Sequence, residues 1–167
     1  MVEVAPTFDA VLREVSLAWE DRFRALFDSS FRKYIRILHG PPSRDRIGGK
    51  LPMVAIHLFD IHLTEHAQTS TRHRRQIRRI GDLRGLRMDY QFSAWAEEPL
   101  DEQLLLDRIR SDVDVKRTLD VSPADGEAFQ LSISPKPSLK FENTIAFWSS
   151  MGWPPKVSLQ YSVKGSA

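Results

Sequence analysis

From Phe8 to Phe27 the apolar residues Phe8, Val11, Leu12, Val15, Trp19, Phe23 and Leu26 recur three or four positions apart, with Asp9, Arg13, Glu20, Asp21 and Arg24 between them. That stripe predicts an amphipathic helix with one buried face. Lys33 to Leu38 is β-prone and runs into His39-Gly40-Pro41-Pro42, which no helix continues through, so a short strand is expected. A loop carrying Arg44, Asp45, Arg46, Gly48 and Gly49 follows, to Lys50. Val54, Ile56 and Leu58 then alternate at period two, and the alternation slips at Phe59-Asp60-Ile61 as a strand with a bulge would. Leu86, Met88, Tyr90, Phe92 and Ala94 repeat the period, and the two strands are expected to pair as a long hairpin.

Pro99 suits the first turn of a helix, and Asp101 and Glu102 suit its positive end. The helix is expected to reach about Val113, burying Leu105, Ile109 and Val113, with Leu104 and Leu106 widening the stripe. Phe129, Leu131 and Ile133 alternate in a short strand closed by Pro135 and Pro137. A further helix, from about Lys140 to Ser150, should bury Phe141, Ile145 and Trp148 and stop at Gly152. Val157, Leu159, Tyr161 and Val163 make the last strand. The order is helix, three strands, helix, strand, helix, strand. It predicts an α+β fold over residues 1–167 as a single domain, with a mixed sheet of about five strands and three helices packed on it.

Composition narrows the class. The chain has 167 residues, of which 41% are hydrophobic and 28% charged, the balance of a soluble globular domain with one core. It has no cysteine, which removes thiol nucleophiles, CxxC redox motifs and cysteine-ligated zinc, and which is compatible with a reducing compartment. The longest strongly apolar run, Met53 to Phe59, is far too short to span a bilayer. The start, Met1-Val2-Glu3-Val4, shows no basic region followed by an apolar run, so no secretory signal is expected.

The net charge of +2 conceals two poles. Residues 72–87 hold seven arginines against the single acid Asp82; residues 97–127 hold ten acids against Arg108, Arg110, Lys116 and Arg117. Complementary poles of this kind steer a protein onto a partner or onto another copy of itself. The basic one falls in the connection of the expected hairpin, about twenty residues long, and connections of that length in compact domains are disproportionately functional or disordered.

Enzyme chemistry finds little support. His57, His62, His66 and His73 lie close in sequence without a regular ligand spacing, and on one strand the odd separation of His57 and His62 would send them to opposite faces. Surface histidines near a strand end are the simpler reading, and no metal or cofactor is expected. Gly48-Gly49 and Gly81 to Gly85 match neither common phosphate-loop spacing, and no nucleophile elbow or paired-carboxylate signature is present. The alternative is a nucleic-acid-binding module that uses Arg72 to Arg87, since clustered arginines supply phosphate contacts. Thr71 to Leu86 contains no Phe, Tyr or Trp to stack on bases, which weakens it. A merely solvated loop accounts for the same residues. Of the four tryptophans, Trp19, Trp95 and Trp148 read as core, whereas Trp153, between Gly152 and Pro154-Pro155, is placed to cap an edge or reach an interface.

Several segments together resemble a known family. Val54-Ala55-Ile56-His57-Leu58-Phe59-Asp60-Ile61, the charged hairpin after it, the strand ending Ser93-Ala94-Trp95-Ala96, then Glu98-Pro99-Leu100-Asp101-Glu102-Gln103-Leu104-Leu105 and Phe147-Trp148-Ser149-Ser150-Met151-Gly152 with Ser158-Leu159 are similar, in this order, to the N-terminal domain of the tail-terminator or cap proteins of contractile injection systems. The resemblance covers about Ala10 to Val163. It implies a structural, non-catalytic component of a phage-tail-like particle. Such a protein forms a six-fold ring at the baseplate-distal end of the inner tube, stops polymerisation there and helps fix the last sheath layer. Expected partners are further copies of the chain, tube and sheath subunits, and in an adaptor role another cap protein; no small-molecule substrate is expected. Assembly would take place in the cytoplasm, with the finished particle cytoplasmic, membrane-anchored or extracellular. Because family members can carry further C-terminal domains and this chain ends soon after Val163, both cap and cap-adaptor roles stay open.

A ring needs one patch that meets a different patch on the neighbour. The two charge poles provide such a pair. The candidate contacts, to the next subunit or to tube and sheath, are Arg72, Arg74, Arg75, Arg78 and Arg79 on the basic side, Asp101, Glu102, Asp112 and Asp114 on the acidic side, and Trp153. Exposed ion pairs contribute only about 0–1 kcal/mol each, so an apolar centre is needed as well.

Overall fold

In a computed structural model, residues 8–63, 83, 85–124, 126–136 and 141–165 are described, without the side chain of Phe141. Helix α1 (Phe8–Ser30) buries Val11, Val15, Trp19, Phe23 and Phe27, one residue per turn on a single face. Strand β1 (Arg36–His39) and the single turn α2 (Arg44–Ile47) lead into β2 (Met53–Leu63). Next come β3 (Leu86–Trp95), α3 (Pro99–Val115), β4 (Thr118–Val121) and β5 (Phe129–Pro135). Helix α4 (Phe141–Ser150) and β6 (Leu159–Gly165) complete the described elements.

The strands form one mixed six-stranded sheet in the order β1-β2-β3-β6-β5-β4, with β1 parallel to β2 and every other pair antiparallel. Among the described residues, six strands and four helices replace the five and three expected from the pattern. The additional strand is β4, only four residues long with two buried side chains, and the additional helix is the one turn of α2. Both are too short to print a period.

The helices are divided between the two faces. On the first, α1 and α3 pack on β2, β3, β5 and β6: Trp19 and Phe23 meet Phe92 edge-on at 4.8 and 4.9 Å, and Leu105, Leu106, Ile109 and Val113 join the same core. Burying an aromatic or leucine side chain completely contributes roughly 1.5–3 kcal/mol, so this layer carries most of the fold's stability. On the second face, Ile47 of α2 and Trp148 of α4 pack with Met53, Ala55 and Trp95. A C-terminal Schellman turn ends α4: Trp153 N donates to Trp148 O at 2.9 Å and Gly152 N to Ser149 O at 3.1 Å, with Gly152 at φ 82°.

Two expected burials are corrected here. Leu104 is 43% exposed, because a residue one position before Leu105 lies a third of a turn off the inner stripe, and Ile145 is 37% exposed because α4 turns Trp148 to the sheet instead. The expected slip in β2 is a bulge between Leu58 and Asp60, across from Tyr90 and Asp89. It reverses the alternation, so Ile61 packs on the first face with Ile56 and Leu58. His57 and His62 are thereby brought to the same face, not opposite ones: His57 stacks on Phe147 of α4, and His62 reaches Asp89.

Candidate functional site

The basic residues Arg72, Arg74, Arg75, Arg78 and Arg79 lie outside the described residues. What the fold fixes is where their segment is anchored. Leu63 and Leu86 are register partners at one end of the β2–β3 ladder, and Leu83 is buried in the main core.

The acidic residues are all described, and they play different parts. Asp101 is exposed in the first turn of α3. Glu102, half-buried beside it, accepts from Ala96 N at 3.3 Å and from Lys156 Nζ at 2.8 Å, so it holds the turn from β3 into α3 to the segment before β6. Asp112 accepts from Arg22 Nε at 2.6 Å, on α1, and Asp114 lies exposed 3.5 Å from Arg117. Trp153 is half-buried: its Nε1 donates to Pro42 O at 2.9 Å, its ring meets Trp95 at 5.7 Å, and Arg44 lies over it.

Beyond these, the second face of the sheet carries a charged centre. Arg87, Asp89, Gln91 and Ser93 alternate with the core residues of β3, and Asp89 has no solvent exposure. Its carboxylate accepts from Ser162 Oγ at 2.6 Å and from Lys136 Nζ, with Arg87 Nε at 3.4 Å and His62 Nε2 at 3.3 Å. Burial pushes its pKa up, yet the hydrogen bonds from Lys136 and Ser162 and the charges of Lys136 and Arg87 outweigh burial and hold it below its ordinary value. Asp89 is not among the sequence candidates, although its signal is present there: a carboxylate in the middle of a strand whose other face is core.

Asp60, His62 and Asp89 present one donor atom each within 4.8 Å of one another. Both oxygens of Asp89, however, already have protein donors, and Lys136 supplies the positive charge this donor set attracts. The arrangement is that of a structural ion-pair centre beside the anchored end of the basic segment. His57 lies farther along the same face, where burial and the charge of Arg46 lower its pKa.

A groove of about 520 Å³ runs between α1 and β4, lined among others by Leu17, Leu26, Asp21 and Asp112. Arg22 bridges it, donating to the carbonyls of Asp112, Lys116 and Thr118 as well as to the Asp112 carboxylate. Its polar groups hold α1, the end of α3 and β4 together.

The sequence matches no protein-family model and no curated protein. Solved structures give a different result. The fold is similar to the sheath/tube terminator of PVC, an extracellular contractile injection system, in its extended state, with 20% identity over 89% of this chain and 54% of that one and a TM-score of 0.56. It is likewise similar to the tube-terminating cap of the anti-feeding prophage, with 18% identity over 89% of this chain and 52% of that one and a TM-score of 0.58. The chain therefore spans about half the length of each, and over that span it has the α+β fold of contractile-injection-system tube terminators.

Proposed function

We propose that the protein is a structural cap, or a cap adaptor, at the baseplate-distal end of the inner tube of a contractile injection system, where it forms a hexameric ring and ends tube and sheath assembly. The observation that carries this reading is the fold shared with two tube-terminating proteins over 89% of the chain. The ordered sequence segments from Val54 to Leu159 support it independently. So does the use of charged side chains on the described surface to join elements, as Glu102 does with Lys156 and Asp112 with Arg22.

Head-to-tail contact suits the two charge poles, since each copy offers a basic and an acidic region. Tube and sheath subunits would meet the same ring. No small molecule, cofactor or catalytic step belongs to this role. Six copies of 19.2 kDa would weigh about 115 kDa, so light scattering after size exclusion, at low and high salt, reads the ring directly. The decisive assay is tube length. Tube and sheath subunits assembled with the protein should give particles of limited length that carry it at one end. Unlimited particles with the protein absent from their ends would overturn the proposal, and tight, salt-steep binding to nucleic acid would replace it with the alternative module.

A further inference from the structure

Helix α3 is apolar on two opposite sides. Leu105, Ile109 and Val113 face the core, whereas Leu100, Leu104 and Val115 are 75%, 43% and 90% exposed. On a 3.6-residue helix, positions 100, 104, 111 and 115 fall within about 60° of one another, on a face centred about 150° from the buried stripe. The outward face is thus a ridge of Leu100, Leu104, Ser111 and Val115. Asp101, Asp107 and Asp114 flank it together with Arg108, all exposed, with Asp107 2.8 Å from Arg110 and Asp114 3.5 Å from Arg117, and Glu97 and Glu98 precede it. Residues 97–115 hold seven acids against Arg108 and Arg110. An apolar ridge with an acidic rim has the composition of a contact surface rather than of a solvated helix face.

We infer that this ridge is the acceptor for the basic segment of a second copy of the chain, an inference that rests on the ring reading above and specifies its interface. Complementarity selects that occupant: residues 72–80 contain Arg72, Arg74, Arg75, Arg78 and Arg79 with no acid, and Ile77 and Ile80 among them supply apolar side chains for Leu100 and Leu104. A basic segment on one copy and an acid-rimmed ridge on the next are different surfaces, so they join head to tail, and each copy that joins leaves a donor free on one side and an acceptor free on the other, as a closing ring requires. Leu100 and Leu104 supply the desolvated centre, and the arginines meet the acidic rim and set the register.

The test uses two full-length variants and their mixture, read by sedimentation at low salt. Leu100→Asp/Leu104→Asp spoils the acceptor, and Arg74→Glu/Arg75→Glu/Arg78→Glu/Arg79→Glu spoils the donor. Each alone should be monomeric with an unchanged far-ultraviolet spectrum and melting temperature. Their equimolar mixture should give a two-copy species and nothing larger, because one intact donor and one intact acceptor remain between them. Leu100→Ser/Leu104→Ser, which adds no charge, should weaken self-association at least tenfold. A wild-type assembly that persists in either leucine variant would overturn this interface and leave the ring standing. A wild-type chain that is monomeric at every concentration and salt would overturn the pairing itself, and the tube-length assay would then decide the ring reading separately.

Discussion

Arg22 and Asp112 join the first helix to the third: Nε of Arg22 lies 2.6 Å from Oδ2 of Asp112, and the rest of the guanidinium binds the carbonyls of Asp112, Lys116 and Thr118. The side chains keep 13% and 30% of their exposure, so the pair is sheltered without being sealed. A cation here meets carbonyls at the negative end of α3 and a carboxylate in one planar fork, a geometry that suits arginine and not lysine. Arg22→Ala should cost about 3 kcal/mol, within the range for losing hydrogen bonds to a charged group. Arg22→Lys should recover less than half of that, as urea denaturation of the two variants will show.

Asp89 is completely buried, whereas its partner Lys136 keeps 23% of its side-chain exposure and can partly rehydrate. Removing the carboxylate by Asp89→Ala should therefore cost about 3 kcal/mol, the lower end of the loss seen on breaking a buried pair. Asp89→Asn/Lys136→Met, which removes both charges, should be more stable than Asp89→Ala. The comparison needs only the thermal midpoints of three proteins; equal midpoints for the single and double variants would show that the two charges do not act on each other.

Acid should weaken the fold in two steps. The pKa of His57 is lowered from its ordinary 6.5 by burial and by Arg46, so the folded state holds fewer protons than the unfolded chain just below that value. Its stabilisation is complete above pH 6.5 and is lost as the pH falls through its folded pKa. Asp89 is lowered from 3.8, so its contribution is complete above that value and is lost as the pH falls further. Stability measured against pH should decline in both windows. His57→Phe, which keeps the ring stacked on Phe147, should abolish the upper decline and leave the lower one.

Trp148 is fully buried on the second face against Trp95, with ring centroids 6.1 Å apart. Trp148→Ala should destabilise by roughly 3–5 kcal/mol, the cost of truncating a core aromatic. Because Trp148 lies in the second cluster and Trp19 in the first, hydrogen exchange should show the loss first in α4 and the backbone around Trp153. Uniform loss over both faces would mean that the two clusters unfold as one unit.

Long periodic elements were legible in the sequence for a definite reason. Residues that repeat every turn in α1, or every second position in β2 and β3, leave a pattern because a single partner surface selects all of them. The bulge was legible too, as a slip at Phe59, but its consequence for His62 was not: which face a side chain reaches after an inserted residue depends on the register of the partner strand. Strand β4 was illegible because its only ladder among the described residues is with β5 and two apolar residues define no period. Leu104 looked like core because leucine runs cannot distinguish a wide buried stripe from two opposed ones. As for the candidate contacts, sequence located the acidic pole, but only the structure separates Glu102 and Asp112, which hold elements together, from Asp101, which is exposed and free of side-chain partners among the described residues. The arginines lie outside those residues.

Arg22 has one more effect, at the boundary of the sheet. Ile133 N donates to Arg117 O, so the alternate carbonyl, that of Thr118, points away from β5 toward the open side of β4. A seventh strand arriving there would have to bring an amide hydrogen to that oxygen, and the guanidinium of Arg22 already occupies it. The β4 border of the sheet is thus blocked at this position, where an extended peptide would otherwise add. A further strand would have to displace the guanidinium before the sheet could lengthen on that side.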